Sequence, residues 1–174
     1  MFAEIITLAI IFSIVVLVVF LLIFISLFVF GAPFEPTNSY TLGKMLEIAN
    51  IRKGDIVADI GSGTGTIVIA FARLKNVSEV HGFEINPLLV WISRRKIKKL
   101  SLEGKAFIHR KNFWKQNFSN FDVVTSFQIN YVMKKLGDKL KRELKNGSRI
   151  VSNTWKFPNM KLKKKKGNVY LYEV

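Results

Sequence analysis

The chain begins with an unbroken apolar run. Residues 5–30 hold no charge, proline or glycine, and Thr7, Ser13 and Ser26 are their only polar members. A helix rising about 1.5 Å per residue would span roughly 39 Å over this stretch. A bilayer core is about 30 Å thick, so the run predicts one transmembrane helix with some tilt. A cleaved secretory signal fits less well. It needs a basic start and an apolar stretch of about 7–15 residues, whereas Met1-Phe2-Ala3-Glu4 is not basic. Gly31 to Asn38 then carries two prolines and reads as a stiff, extended connection. The expected division is an anchor over residues 1–31, a linker over 32–40 and a soluble domain over 41–174.

Within that domain the hydrophobic period changes repeatedly. Leu42, Met45, Leu46 and Ala49 form a helical stripe over residues 42–51. Residues 55–60 are a short apolar strand, and 66–74 return to helical spacing. Residues 80–84 read as a second strand. Pro87 then opens a helix in its first turn, where proline is tolerated. In that helix Leu89, Ile92, Ile97 and Leu100 share one face, and Arg94, Arg95, Lys98 and Lys99 the other. Residues 106–110, 121–127 and 148–153 are further strands, and 134–144 are a charged helix stopped by Asn146-Gly147. Met160 and Leu162 alternate with lysines, Lys166-Gly167-Asn168 turns, and 169–174 alternate again, as in a terminal hairpin. Strands alternating with helices imply an α/β, Rossmann-like sheet, mostly parallel and covered on both faces, ending in an antiparallel hairpin strand.

Charge is spread very unevenly. All 27 Lys and Arg lie at or after Lys44, while residues 1–43 carry only Glu4 and Glu35. The remainder opposes 27 cations with 10 carboxylates, about +17. That field favours anionic partners: lipid, nucleic acid or acidic protein. It also places the basic domain on the cytoplasmic side of a membrane crossed by the first helix. The chain has no cysteine. Disulfides, cysteine-bound zinc, iron–sulfur chemistry and thiol nucleophiles are thereby excluded. Two histidines, His81 and His109, stand in unrelated apolar contexts, so no metal is expected.

One stretch carries chemistry. VADIGSGTG, residues 57–65, runs from an apolar strand into Asp59 and then through Gly61, Gly63 and Gly65. In open α/β sheets ligands bind at the carboxyl ends of the strands, near the point where strand order reverses. A triphosphate loop would end in Lys and Ser or Thr, and no lysine is there. A dinucleotide turn would read G-x-G-x-x-G, but the third glycine comes one place early, and an acid ahead of the turn suits a pyrophosphate badly. S-adenosylmethionine fits better. Its ammonium suits Asp59, its sulfonium and ribose lie across the glycine turn, and its ribose hydroxyls call for a second acid at the tip of the next strand. Glu84 stands there, 19 residues after Gly65. The candidate cofactor-binding residues are Asp59, Gly61, Ser62, Gly63, Thr64, Gly65, Glu84, Ile85 and Asn86. The plainer alternative is a structural turn beside two ordinary surface acids.

With these residues in place, the chain resembles the class I S-adenosylmethionine-dependent methyltransferases. Phe34-Glu35-Pro36-Thr37, Met45-Leu46-Glu47-Ile48-Ala49, Asp55-Ile56-Val57, Lys111-Asn112-Phe113 and Glu143-Leu144-Lys145-Asn146-Gly147-Ser148 narrow the resemblance. They are similar to a family of small protein-lysine methyltransferases, with compact archaeal members and membrane-anchored mitochondrial members that act on the ATP synthase c-subunit or the ADP/ATP translocase. The resemblance implies that Thr37 contacts the methionyl end of the cofactor and that Asn112 and Phe113 border the adenine. It departs at Asn38, where a second proline is common, and over residues 127–131.

Methyl transfer from a sulfonium needs alignment and exclusion of water more than acid–base help, so no catalytic acid or base is assigned. Tyr131 and Asn153 are candidates only for orienting an amine. Methylation of exocyclic base amines would call for an Asn/Asp-Pro-Pro-aromatic segment where the chain reads Phe127-Gln128-Ile129-Asn130. Methylation of cytosine C5 would call for a cysteine. The expected partners are a protein substrate in or near the membrane and an anionic lipid surface for the basic helix and the lysines at 161–166. RNA or a lipid acceptor, and a non-catalytic cofactor-fold module, remain as alternatives.

Overall fold

The computed structural model describes residues 2–29 and 37–174, with side chains from Glu4 to Leu21 and from Thr37 onward. The chain divides into two compact units, Met1–Phe34 and Glu35–Val174. The first contains, among the described residues, one helix, α1 (Phe2–Val29). Its side chains from Glu4 to Leu21 are all exposed, and over that stretch it is long and apolar enough to cross a membrane. Residues 30 and 31, at the end of the expected anchor, and residues 32–36 of the expected linker lie outside the described residues.

The second unit contains α2 (Ser39–Ile48), β1 (Asp55–Ile60), α3 (Thr66–Ala72), β2 (Val77–Glu84), α4 (Pro87–Lys99), β3 (Ala106–Arg110) and a single 3-10 turn (Phe113–Lys115). It continues through β4 (Val123–Ser126), α5 (Asn130–Glu143), β5 (Arg149–Asn153), β6 (Leu162–Lys166) and β7 (Val169–Glu173). The strands form one sheet in the order β3-β2-β1-β4-β5-β7-β6. The first five are parallel, and β7 runs antiparallel between β5 and β6. Strand order therefore reverses between β1 and β4, which puts a crevice at the ends of those two strands.

Two apolar layers sandwich the sheet. On one face Val57, Val80, Val123 and Val151 pack with Met45 and Ile48 of α2, Val68 and Phe71 of α3, and Val90 and Ile97 of α4. On the other, Ala58, Ile60, Val124 and Ile150 pack with Met133, Leu136 and Leu140 of α5 and with Phe118, Phe121 and Phe157. Successive strand residues alternate between the two layers, as the pleat requires.

Two helix starts and one buried helix face differ from the periodicity for local reasons. Helix α2 starts at Ser39, inside the expected linker, because the Asn38 side chain caps it by accepting the Thr41 N–H at 2.9 Å. Helix α5 starts at Asn130, four residues before the expected start, with Asn130 and Tyr131 exposed and no side-chain cap, so no signal marked its beginning. Helix α4 turns Val90, Ser93 and Ile97 inward, rather than the expected face that included Leu100, which is exposed. A small polar residue makes this seam. A side chain on Gly65 would put its Cβ 3.0 Å from Ser93 Cβ, so helix and glycine turn approach on their smallest residues.

The far edge of the sheet is β6, which carries four lysines in a row and is mostly exposed. Lysines on an edge strand oppose pairing with other chains. Two of these are neutralised, Lys163 by Glu173 and Lys166 by Glu47.

Candidate active site

The turn after β1 is built from left-handed glycines. Gly61, Gly63 and Gly65 have φ of 71°, 53° and 79°, a region that side-chain-bearing residues rarely occupy. Two bonds fasten the turn to the neighbouring strand: the N–H groups of Gly61 and Ser62 both donate to the Phe83 carbonyl, at 2.9 and 3.1 Å. Gly82, one residue earlier in β2, lets Ser62 pack closely: a Cβ there would lie 2.6 Å from Ser62 Oγ and 2.7 Å from Ile108 Cδ1, so both side chains would have to shift.

Glu84 organises the rim. Its Oε2 accepts the Gly63 N–H at 2.9 Å, and its Oε1 accepts the N–H groups of Ile85 and Asn86 at 2.8 Å each. A carboxylate has about four acceptor positions, so one remains on Oε2. Asn86 then caps α4, accepting the Leu88 N–H at 3.0 Å. The Lys111 N–H donates to the Glu84 carbonyl, which brings the end of β3 to the same rim. Asn112 follows and caps the 3-10 turn by accepting the Trp114 N–H at 3.0 Å. Phe113, half-buried, lies tilted against Trp114 with ring centres 4.9 Å apart and packs on the α5-side layer.

Asp59 is the unusual residue. It is 1% exposed and lies between Gly82 of β2 and Thr125 of β4 in the sheet register. The Thr125 hydroxyl donates to Asp59 Oδ1 at 2.7 Å. Asp59 Oδ2 is buried with no hydrogen-bond partner. Burial raises this carboxyl to about 7, the nearby Glu84 charge adds to the rise, and the Thr125 bond opposes it. Ser62 Oγ, in the turn that follows β1, is likewise buried and without a partner. Buried polar atoms nearly always have partners, so this cluster calls for a polar, cation-bearing ligand. The donor set fits S-adenosylmethionine: a buried carboxylate for an ammonium, a free acceptor on Glu84 for a hydroxyl, and a side-chain-free turn between them.

The structure thus brings Asp59, Gly61, Ser62, Gly63, Thr64, Gly65, Glu84, Ile85, Asn86, Asn112 and Phe113 to the carboxyl ends of three adjoining strands. Thr37 is half-buried and directly precedes the Asn38 cap of α2. Asn153 is buried, and its Oδ1 accepts from Thr154 Oγ1 at 3.1 Å and Asn168 Nδ2 at 3.3 Å. That bonding closes the hairpin and leaves little for an acceptor amine. Tyr131 is 80% exposed.

Sequence reasoning missed two side chains. Thr125 was hidden inside an apolar strand, although its position opposite Asp59 follows from the strand order. Gln128 donates from Nε2 to the Ile60 carbonyl at 3.0 Å. It covers Gly61 closely: a Cβ at that glycine would lie 2.4 Å from the same nitrogen. No spacing rule points to it, since it comes from the loop after β4.

His81 and His109 form a pair of their own. They share a hydrogen bond at 2.9 Å and stack among Phe83 and Phe107. Burial pushes His109 below its ordinary range, helped by the His81, Arg94 and Lys111 charges.

Comparison with known proteins agrees with this geometry. The family model of the ANTKMT methyltransferase domain matches residues 59–164. A protein-lysine N-methyltransferase of Saccharolobus islandicus is 37% identical over 150 residues, covering 82% of this chain and 93% of that protein. The human ATP synthase c-subunit lysine N-methyltransferase is 36% identical over 127 residues, 73% of this chain and 53% of the relative. The mouse adenine nucleotide translocase lysine N-methyltransferase is 32% identical over 126 residues, 72% of this chain and 54% of the relative. The chain thus spans about half the length of these two mammalian relatives. Among solved structures, an RNA methyltransferase from Salinibacter ruber in complex with S-adenosyl-L-homocysteine superposes with a TM-score of 0.72 at 27% identity, over 80% of this chain and 93% of that one. A family match that begins at the buried Asp59 and runs through more than half the chain leaves one assignment: the protein belongs to the ANTKMT methyltransferase domain family and is an S-adenosylmethionine-dependent methyltransferase.

Proposed function

We propose that the protein methylates lysine side chains of a protein in or at the membrane, with α1 as a single-pass anchor and the catalytic domain in the cytoplasm. The observation that carries the cofactor half of this reading is the unpartnered, buried oxygen of Asp59 beside three left-handed glycines. The relatives' names support the acceptor class. The length and apolar character of α1 support the anchor, and the lysines and arginines that all follow it support the orientation.

In this reading Asp59 Oδ2 holds the ammonium of the cofactor's methionyl end and Glu84 Oε2 accepts from its ribose. Ser62, Thr64 and the glycine backbone bound the space between. Ile85, Asn86, Asn112 and Phe113 edge the adenine, and Thr37 closes the methionyl end. When bound, the cofactor supplies a methyl group activated on a sulfonium. The protein's tasks are to align a neutral amine and exclude water. A lysine of ordinary pKa near 10.4 is only roughly 0.04% neutral at pH 7. Desolvation in the crevice and nearby positive charge both favour the neutral amine, so no general base is required.

One consequence concerns pH. In the free protein Asp59 titrates near 7, so below pH 7 a cationic ligand must displace a proton from it. Affinity for S-adenosylhomocysteine, which keeps the ammonium, falls as pH drops below about 7, by at most about tenfold per unit, and levels off above it. Asp59→Asn binds weakly with a flat profile. Calorimetric titrations from pH 5 to 8 check both.

The acceptor is tested by incubating the purified full-length protein with methyl-labelled cofactor and native membranes. Label is expected in the protein fraction, in methylated lysine. Label confined to RNA or to the organic extract contradicts the proposal.

A further inference from the structure

Helix α4 and the end of β3 enclose a groove of about 370 Å³, lined by Pro87, Trp91, Arg94, Arg95, Lys98 and Arg110. We propose that this groove binds the phosphate-bearing headgroups of anionic lipid, with Leu88 and Trp91 entering the boundary between headgroups and acyl chains. The proposal rests on the anchored reading of α1 given above, and it adds a second contact of the domain with the same bilayer.

Arg94, Arg95, Lys98 and Arg110 are exposed. Among the described residues none of them is paired with a carboxylate, in contrast to Lys163 and Lys166 on β6. Arg94 is also held in place: its Nε and Nη2 donate to the Ile108 carbonyl at 3.1 and 2.8 Å. Four uncompensated cations around one concavity favour a ligand with concentrated negative charge.

Shape and apolar exposure select the ligand. Leu88 is 59% exposed and Trp91 52% exposed. Positions 88, 91 and 95 fall on one side of a helix, so a leucine, a tryptophan and an arginine follow one another along the outer surface of α4. The Arg95 guanidinium lies 4.3 Å from the Trp91 ring centre and so occupies one face of the ring. A single-stranded nucleic acid would use that face for base stacking and would have no use for the neighbouring leucine. A bilayer interface uses both features: tryptophan and leucine at the headgroup–acyl boundary and cations on the phosphates. Since α1 and α2 are consecutive along the chain, a bilayer crossed by α1 would also be the anionic surface closest at hand.

The consequence for function is orientation. Helix α4 starts at the Asn86 cap, two residues after Glu84, and Arg110 pairs with Glu84 in the sheet register. Docking by this groove would turn the cofactor rim toward the membrane surface, where a lysine of a membrane protein could reach it.

The chain's lack of cysteine allows a clean test with the full-length protein in lipid nanodiscs. Nitroxide labels on Leu88→Cys, Lys145→Cys and Val16→Cys would be compared in phosphatidylcholine alone and with phosphatidylglycerol added. The proposal expects the Leu88→Cys label to be shielded from a water-soluble relaxant and reached by oxygen only when anionic lipid is present. It expects Lys145→Cys to stay in water in both, and Arg95→Glu with Lys98→Glu to return the Leu88→Cys label to water. A Leu88→Cys label in water in both lipids overturns the proposal. So does a lipid contact that survives the double charge reversal, or a reversal that abolishes binding of a single-stranded RNA oligonucleotide while leaving the lipid contact intact. The Val16→Cys label reports on the anchor separately. If it lies in lipid while Leu88→Cys lies in water, only the groove proposal fails. If it lies in water, the anchor reading fails, and a lipid-shielded Leu88→Cys then sustains the groove as a peripheral contact.

Discussion

Arg149→Met lowers the unfolding free energy by about 3–5 kcal/mol, the usual cost of removing one partner of a buried ion pair. The Arg149 side chain is 2% exposed and that of Asp55 6%. Arg149 Nη2 donates to Asp55 Oδ1 at 2.7 Å, and Nη1 donates to the Asn50 carbonyl. The other Asp55 oxygen accepts the Arg52 N–H at 2.6 Å. One guanidinium therefore ties the end of α2, the start of β1 and the start of β5. Asn50 itself sits in the left-handed region, with φ of 49°, a conformation asparagine tolerates. With methionine in place, Asp55 keeps a buried charge without a counterion. Replacing both partners, as Arg149→Met with Asp55→Leu, recovers most of the loss, because two apolar groups leave no charge stranded. Urea unfolding of wild type, single and double variants separates these outcomes. The pair lies at the amino ends of the strands, so cofactor affinity under folding conditions stays close to wild type in all three.

Glu84→Ala produces the largest loss at the cofactor site. Three backbone N–H groups, from Gly63, Ile85 and Asn86, converge on this carboxylate. Hydrogen bonds to charged groups contribute about 1.5–3 kcal/mol each, and in the proposed complex the same side chain also receives the ribose. The expected loss of S-adenosylhomocysteine affinity is about 1.5–3 kcal/mol, roughly 10–100-fold. Glu84→Gln fares little better despite its shape. Its amide must point an N–H group at one of the backbone N–H donors, on the Gly63 side or on the Ile85 and Asn86 side, and one set is then orphaned. A glutamine variant that bound like wild type would show that charge and acceptor capacity at this position are dispensable.

Much of this arrangement was legible in the chain. The glycine turn could be read because an apolar strand runs into Asp59 and three glycines spaced by two follow, and Glu84 because it ends the second strand. The sheet class could be read because its strands are short, apolar and separated by helical spacing. Other features depend on tertiary contact and leave no local trace. Ser93 is polar yet forms the seam of α4, because it meets Gly65. Gln128 reaches back from the loop after β4 to cover Gly61. Arg149 reads as an ordinary basic residue at a strand start, and only the burial of Asp55 shows its role. The lysines of residues 161–166 read as one uniform cationic patch, but two of them are spent on Glu47 and Glu173. Lys161, Lys164 and Lys165 have no carboxylate partner among the described residues, and neither do the four cations around the α4 groove.

In the proposed complex Asp59 and Glu84 grip one cofactor molecule from opposite ends of the glycine turn. A crystal structure of the protein with S-adenosylhomocysteine tests it most directly. The expected result is the ligand's ammonium on the unpartnered Asp59 oxygen and its ribose hydroxyls on Glu84, with lower ligand occupancy in Asp59→Ala and Glu84→Ala crystals at the same limiting ligand concentration. A nucleoside bound elsewhere, or both carboxylates turned away from it, would contradict the account.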